Sequence, residues 1–366
     1  MNIVFVIATN TSGGAERVIS ILCNYFAEIG DHVTLINFDK DSDFYKVDNR
    51  VNTIKLAKKY SNLETCKSVI YKQFKLLLYM IRELKQIQPD VVIPFLFNSE
   101  MPTILASICL RIPCITSVRN SPEVYPKYQR LFRRSIYPKL AGIVLQSQTV
   151  SKHSDFEKVY NKTVIMNPLN IRMDCNTNKR ALGKIISVGR LNKQKNHELT
   201  IRAVCEIKNE FPEIELHIFG TGELENSLKT VAQGYSSGNC IVFHGAVPNA
   251  IEKNQDAQLF IMSSDYEGFP NALVEAMAYH IPVVSTDFDT GVARELVGND
   301  ENGYIFEIGN KEQLKNKIRY ALTNLCETEK KADKALEMCE MLDYKTIGRQ
   351  WKSFIVNSIG KNNIEG

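Results

Sequence analysis

The chain has 366 residues, 44% of them hydrophobic and 23% charged, with a formal net charge of +4. As a soft prior that length suggests two domains of roughly 100–200 residues each, and the composition excludes a disordered or low-complexity protein. Nine cysteines without CxxC pairs or regular spacing argue against a disulfide framework or a zinc site and fit a reducing cytoplasm.

No apolar run reaches the ~20 residues of a membrane span; residues 74–81, for example, are interrupted by Lys75. Met1-Asn2 carries no basic side chain and the run 3–8 is too short for the apolar core of a signal peptide, so the expected location is the cytoplasm. In that compartment the glycosylation sequons at Asn10 and Asn161 carry no meaning.

In chain order, strands are expected at 3–8, 32–37, 91–95, 114–117, 142–145 and 164–166, with helical periodicity at 15–29, 68–87, 103–110 and 150–160. The second half repeats the scheme, with strands at 185–188, 215–219, 241–243, 259–262 and 282–285 and helices at 198–211, 224–234, 272–279 and 312–325. Strand–helix alternation of this kind predicts parallel sheets covered on both faces. The fold class is therefore α/β, with two doubly wound Rossmann-like domains in series. The Asn-rich stretch near Asn167-Pro168 has linker composition and divides the chain into domains at 1–170 and 171–345. A last helix over 346–366, with the single tryptophan Trp351, is expected to pack back on the N-terminal domain.

Two segments carry candidate chemistry. Glu267-Gly268-Phe269-Pro270-Asn271-Ala272-Leu273-Val274-Glu275 follows one predicted strand and opens a predicted helix. Two carboxylates flank a turn shaped by Gly268 and Pro270, and the N–H groups of a helix N-terminus bind phosphate. A solvated loop glutamate and a dipole-favoured Glu275 account for the same residues without function. On this segment alone both readings stand. Val188-Gly189-Arg190-Leu191-Asn192-Lys193-Gln194-Lys195-Asn196 follows the first strand of the second half. Ligands of doubly wound sheets bind at the carboxyl ends of strands, which puts Arg190 and Lys195 where a diphosphate would sit and where cations stabilise a departing phosphate.

Taken together, Gly189-Arg190-Leu191 with Lys195, then Glu267 through Glu275 with Ala276-Met277-Ala278, then Ile281-Pro282-Val283-Val284-Ser285-Thr286 resemble the retaining glycosyltransferases of family four, also called group one. Gly220-Thr221-Gly222-Glu223-Leu224, His244-Gly245 and Ser12-Gly13-Gly14-Ala15-Glu16-Arg17 fall in the order that family shows. The resemblance implies the GT-B fold, two Rossmann-like domains with an inter-domain cleft. It implies a nucleotide diphosphate sugar, UDP-linked with GDP as the alternative, as donor substrate, with no cofactor and no metal required. Glu275 would hold the ribose hydroxyls. Glu267 would contact the donor sugar, near the backbone of Phe269, Pro270, Asn271, Ala272 and Leu273. Arg190 and Lys195, beside Gly189, would neutralise the diphosphate, and Gly13 and Gly14 would let backbone approach the donor, which only glycine permits. Members of this family often build bacterial surface polysaccharide on polyprenyl-diphosphate lipids, so the resemblance implies a saccharide acceptor, free or on such a carrier. Many carry a histidine near the transferred sugar where this chain reads Thr116-Ser117-Val118-Arg119-Asn120-Ser121; Arg119 or Asn120 is expected to take over its contacts. A nucleotide-sugar epimerase on a similar fold and a non-catalytic nucleotide-sugar-binding module remain the alternatives.

The remaining patterns are weaker. Asp41-Ser42-Asp43 and Asp287-Phe288-Asp289 have Asp-x-Asp form but read as solvated or capping aspartates. The third glycine of a dinucleotide loop at Gly220-Thr221-Gly222 would fall on Glu225, against NAD. The six histidines show no ligand spacing. Residues 1–166 hold 22 basic and 14 acidic side chains, a net of +8, whereas the rest is −4. Two stretches concentrate the excess. Residues 67–88 have five basic residues and one acid at amphipathic spacing, which suits either a membrane surface or a core-facing helix. Residues 125–139 hold Lys127, Arg130, Arg133, Arg134 and Lys139 among aromatics with no acid, which suits an anionic membrane surface. The expected association is peripheral, at the inner face of the cell membrane, and no motif points to nucleic acid.

Overall fold

The computed structural model describes residues 1–9, 13–39, 44–60, 63, 68–171 and 180–362. Contacts divide the chain into two units, Met1–Asn170 with Leu342–Gly366, and Ile171–Met341. The continuous apolar runs become inner strands, because a strand covered by helices on both faces buries every side chain.

In the first unit seven parallel strands, β1 (Asn2–Ile7), β2 (His32–Asn37), β3 (Asn52–Lys55), β4 (Val91–Phe95), β5 (Ile115–Ser117), β6 (Gly142–Leu145) and β7 (Lys162–Val164), lie in the order β3-β2-β1-β4-β5-β6-β7. Helices α1 (Gly14–Glu28), α2 (Leu56–Lys59), α3 (Val69–Ile87), α4 (Phe97–Leu110), α5 (Lys127–Ile136) and α6 (Gln148–Ser151) connect them. Leu76, Met80 and Leu84 of α3 pack with Val4, Val6 and Val92 of the sheet. Tyr137, Phe156, Ile143 and Leu145 form a second core.

The second unit has six parallel strands, β8 (Ala181–Val188), β9 (Glu215–Phe219), β10 (Ile241–Phe243), β11 (Ala257–Met262), β12 (Val283–Thr286) and β13 (Tyr304–Phe306), in the order β10-β9-β8-β11-β12-β13. Its helices are α7 (His197–Ile207), α8 (Glu225–Gln233), α9 (Asn271–Ala278), α10 (Val292–Val297), α11 (Lys311–Thr323) and α12 (Leu325–Glu340). The last helix, α13 (Tyr344–Asn362), belongs to the first unit. There Trp351 is fully buried with its ring 6.1 Å from that of Phe95, and Lys352 Nζ reaches Asp31 at 2.6 Å. In each sheet the chain reverses its direction of growth once, between β1 and β4 and between β8 and β11. Such reversals open crevices at the carboxyl ends of strands.

Several elements differ from the expectation. The helix expected over 150–160 is only α6 and a short turn at Ser154–Phe156, because His153 adopts extended backbone and its Nδ1 accepts the Asp155 N–H at 3.1 Å. Helix α4 begins six residues before the expected 103 and runs through Pro102, which forfeits one backbone hydrogen bond near the helix start. The edge strand expected over 164–166 is β7, two residues earlier. Strands β3 and β13 are too short to show a period. Among the described residues no helix is long and apolar enough to cross a membrane.

Candidate functional site

Strands β8 and β11 are neighbours, so the loops that leave their carboxyl ends start side by side. The β8 loop turns at Gly189 and Arg190, and Asn192 then caps a single turn by accepting the Lys195 N–H at 3.1 Å. Asn196 takes left-handed backbone (φ 45°) and starts α7. The β11 loop is tied to it repeatedly. Asp265 N–H donates to the Gln194 carbonyl at 2.8 Å, Gln194 Nε2 to the Tyr266 carbonyl at 2.9 Å, Asn196 Nδ2 to Asp265 Oδ1 at 2.7 Å, and Ser263 Oγ to the Asn196 carbonyl at 2.8 Å. The β9 loop closes the set. Leu191 N–H donates to the Thr221 carbonyl at 2.9 Å, and Gly220 (φ 147°) approaches so closely that a Cβ would stand 1.8 Å from the Gly189 carbonyl oxygen. The Gly220-Thr221-Gly222 segment therefore serves loop packing here.

Within this frame Lys195 and Glu267 meet. Lys195 Nζ lies 2.5 Å from Glu267 Oε1, with side chains 18% and 8% exposed, and the lysine stem lies over Gly189. Ser264 Oγ donates to the same carboxylate oxygen at 2.8 Å, and Thr290 Oγ1 donates to the Glu267 carbonyl at 2.9 Å. A pair this covered is rigid, and losing one partner leaves a buried charge. Phe269 and Pro270 are buried and lead into α9, whose start at Asn271 carries no side-chain cap. The first-turn amides of Ala272 and Leu273 are thus not taken by a capping side chain, and they carry the positive end of the helix dipole. Glu275 is half-buried one turn further on, and Arg190 is exposed at the loop start.

Two groups of residues escaped the sequence reading. Ser264 and Thr290 hold Glu267, and His197 lies buried two residues beyond Lys195 with its Nδ1 3.2 Å from Ser187 Oγ. Burial, then the nearby Lys195 charge, pushes the His197 imidazole down to about 4, so it is neutral at pH 7. The pair Ser263-Ser264 directly after a strand was the available signal for the first group. Nothing in the spacing signalled His197.

The remaining candidates lie in the first unit or carry other contacts. Gly13 and Gly14 stand at the start of α1. Arg119 is 6% exposed and held internally, with Nη1 donating to Asn167 Oδ1 and its guanidinium carbon 4.5 Å from the Phe95 ring centroid and 5.9 Å from that of Trp351. Burial pushes it down to about 9. Its Nε and Nη2 are also fully covered, so the sugar contact expected of Arg119 is corrected to a ring-stacked interior cation. Asn120 beside it is half-buried.

The membrane contact expected of Arg133 is likewise corrected. Its side chain is 1% exposed, 3.3 Å from Glu100 Oε2 and 3.7 Å from the Tyr125 ring centroid. Arg130 and Arg134 are held by Asp155 at 2.8 and 2.6 Å, and Arg130 also by Glu123 at 3.0 Å. The segment has no acid of its own, yet its arginines are met by carboxylates from elsewhere in the chain. Lys127 stays exposed beside Tyr128 and Leu131, each 66% exposed. Asp287 pairs with Arg294, while Asp41-Ser42-Asp43 and Ser12 fall outside the described residues.

The family model described as glycosyl transferases group 1 matches residues 176–338. A curated relative from Campylobacter jejuni, the GalNAc-alpha-(1->4)-GalNAc-alpha-(1->3)-diNAcBac-PP-undecaprenol alpha-1,4-N-acetyl-D-galactosaminyltransferase, is 28% identical over 363 residues, covering 97% of this chain and 98% of its own. Among solved structures TarM is similar with a TM-score of 0.81 at 13% identity, over 97% of this chain and 99% of its own. HepE of Anabaena in complex with UDP is similar with a TM-score of 0.76 at 18% identity, over 98% of this chain and 100% of its own.

Proposed function

We propose that the chain, which matches the group 1 glycosyltransferase model over residues 176–338 and has the GT-B fold, is a retaining transferase of that group. It moves a sugar from a UDP-linked donor to a saccharide carried on a polyprenyl diphosphate, in the synthesis of surface polysaccharide. The observation that carries this reading is the Lys195–Glu267 pair, 2.5 Å apart at the carboxyl ends of β8 and β11 and next in sequence to the start of α9. The named activity of the Campylobacter relative on an undecaprenol-diphosphate saccharide and the UDP in HepE support the substrate classes.

In the reaction the bond from the sugar's anomeric carbon to the β-phosphate oxygen breaks. A bond to the acceptor hydroxyl oxygen forms on the same face, the hydroxyl proton passes to the β-phosphate oxygen that is being released, and nucleoside diphosphate departs. The anionic charge grows on the leaving diphosphate. Arg190, Lys195 and the α9 amides supply positive charge there before the reaction starts, which lowers the barrier without reorganisation. Glu267, fixed by Lys195 and Ser264, orients the donor sugar, and Glu275 binds the ribose hydroxyls. Two cations and a helix end take the place of a metal ion, so transfer proceeds in EDTA and requires no cofactor.

A lipid-linked acceptor places the enzyme at the inner face of the cell membrane, peripherally. Helix α3 supports this better than the α5 arginines. Tyr71, Phe74 and Leu78 are 53%, 55% and 48% exposed at helical spacing, with Lys72, Arg82 and Lys85 also exposed. Apolar side chains among cations fit an anionic headgroup region.

Glu275→Ala tests the donor assignment. Removing a charged hydrogen-bonding partner should weaken binding by about 2–3 kcal/mol, roughly 30- to 150-fold, in calorimetric titration with a UDP- and GDP-sugar panel. Unchanged affinity would overturn it. Release of nucleoside diphosphate only when acceptor is present separates transfer from epimerisation and from binding alone.

A further inference from the structure

We propose that a lysine-lined pocket in the first unit, at the carboxyl ends of β2 and β3, takes the diphosphate of the acceptor. The inference rests on the reading of the acceptor as diphosphate-linked. The pocket has a volume of about 770 Å³, within the range of small-ligand sites. Lys46, Lys55, Lys58 and Lys59 line it, and none of its lining residues is acidic.

Sheet register builds its floor. Leu35 pairs with Thr53 and Asn37 with Lys55, so these four lining residues share one face of the β2–β3 pair. The chain then turns directly into α2, which brings Lys58 and Lys59 to the same cavity. Helix α2 is fixed from behind. Lys59 Nζ lies 2.7 Å from Glu83 of α3, Tyr60 donates its hydroxyl hydrogen to the same carboxylate at 2.6 Å, and the Tyr60 ring stacks on Tyr79 at 3.8 Å. The opposite wall is the segment around Tyr45, Lys46 and Asn49.

Four ammonium groups line one cavity, and Glu83 pairs with that of Lys59. Among the described residues Lys46 and Lys58 have no acidic partner. An entering anion offsets their positive charge. Several lysines suit a multiply charged phosphate group, which they bind as point charges, better than a single carboxylate. Thr53, Asn49 and Tyr45 add neutral donors. The site is distinct from the donor phosphate site, which lies in the second unit.

The experiment uses the full chain and a K46A/K58A variant; Lys59 is kept because its loss would unpair buried Glu83. Calorimetry first titrates UDP, which reports the donor reading by itself. Inorganic pyrophosphate is then titrated with UDP saturating. Wild type should bind pyrophosphate, and the variant should bind it at least tenfold more weakly. Transfer is then compared between a diphosphate-linked acceptor and the same saccharide on a neutral alkyl aglycone. Wild type should favour the diphosphate acceptor in kcat/KM, and the variant should lose roughly tenfold of that preference, with a circular-dichroism melt confirming the fold. No pyrophosphate binding in wild type, or equal binding by both proteins, overturns the proposal. Weaker pyrophosphate binding with an unchanged acceptor preference also overturns it, because the pocket would then serve a free anion. Failure of UDP to bind would instead sink the donor reading.

Discussion

Each unit buries a cation against a carboxylate, and the surroundings of the two pairs differ. Arg133 and Glu100 are 1% and 0% exposed, roofed by the Tyr125 ring and by Tyr137, whose hydroxyl donates to Glu100 Oε2 at 2.9 Å. Lys195 and Glu267 keep 18% and 8% exposure, lie where β8 and β11 end, and have a glycine beneath the lysine stem. The first pair is closed on every side and locks α5 to α4. The second keeps partial exposure at a strand-order reversal. Burial of a charge therefore does not mark a site. We propose that burial with partial exposure at a strand-order reversal does.

The largest effect should come from breaking the closed pair. Arg133→Met strands the Glu100 carboxylate and should cost about 3–5 kcal/mol of stability, read as a lower urea midpoint, with kcat of the folded protein within about twofold of wild type. Arg133→Met with Glu100→Gln should recover part of the loss. A variant that keeps its midpoint but loses kcat would reverse the comparison.

The open pair should respond in rate. Lys195→Ala should lower kcat by roughly 10²–10³, about 2.7–4 kcal/mol, as loss of a preorganised charge-stabilising group does, and by more than it raises the donor KM. A normal kcat with only a raised KM would assign Lys195 to uniform binding.

The same region should carry a pH signature. The His197 imidazole is held at about 4 against an ordinary 6.5, first by burial and then by Lys195. Between those values the unfolded chain binds a proton that the folded chain does not, so stability rises with pH across that window. The contribution is complete above pH 6.5 and is lost as pH falls toward 4, about 3 kcal/mol in all. His197→Gln should flatten that slope in urea titrations run from pH 7 to pH 4. An unchanged slope would assign the acid sensitivity to other groups.

What could be read from the sequence follows from how far apart the interacting residues are. Strands such as 91–95 and 142–145 announce themselves by unbroken apolar runs, and the α/β class follows from their alternation with helices. The meeting of Lys195 and Glu267, which we propose for the donor side, was legible because two short contiguous segments carry them, and the 72 positions between them are bridged by the fold rule that strand ends gather ligands. Arg133 was misread because its partner Glu100 lies 33 positions away on another helix, and Asp155 lies 25 from Arg130. Local composition showed only a basic aromatic run. Helices α10 and α12 escaped because the first is six residues long and the second is half charged.

The smallest expected effect separates α3 from α5 as the membrane-facing element. Tyr71, Phe74 and Leu78 of α3 are about half exposed. Serine at both Phe74 and Leu78 removes part of two side chains that each gain about 1 kcal/mol on half-burial, so vesicle affinity should fall by roughly tenfold or somewhat more. The flanking lysines should make binding to anionic vesicles stronger than to neutral ones and weaker at high salt, since their contribution of about 1 kcal/mol each decays within a Debye length. Arg130→Gln with Arg134→Gln should change affinity little, because both side chains already sit on Asp155. Co-sedimentation of wild type and both double variants with anionic vesicles, at low and high salt, reads the difference directly. If the arginine variant is released while the α3 variant pellets like wild type, the docking face is α5 and the pairing with Asp155 must open at the membrane. If the three proteins pellet alike, neither helix carries the attachment.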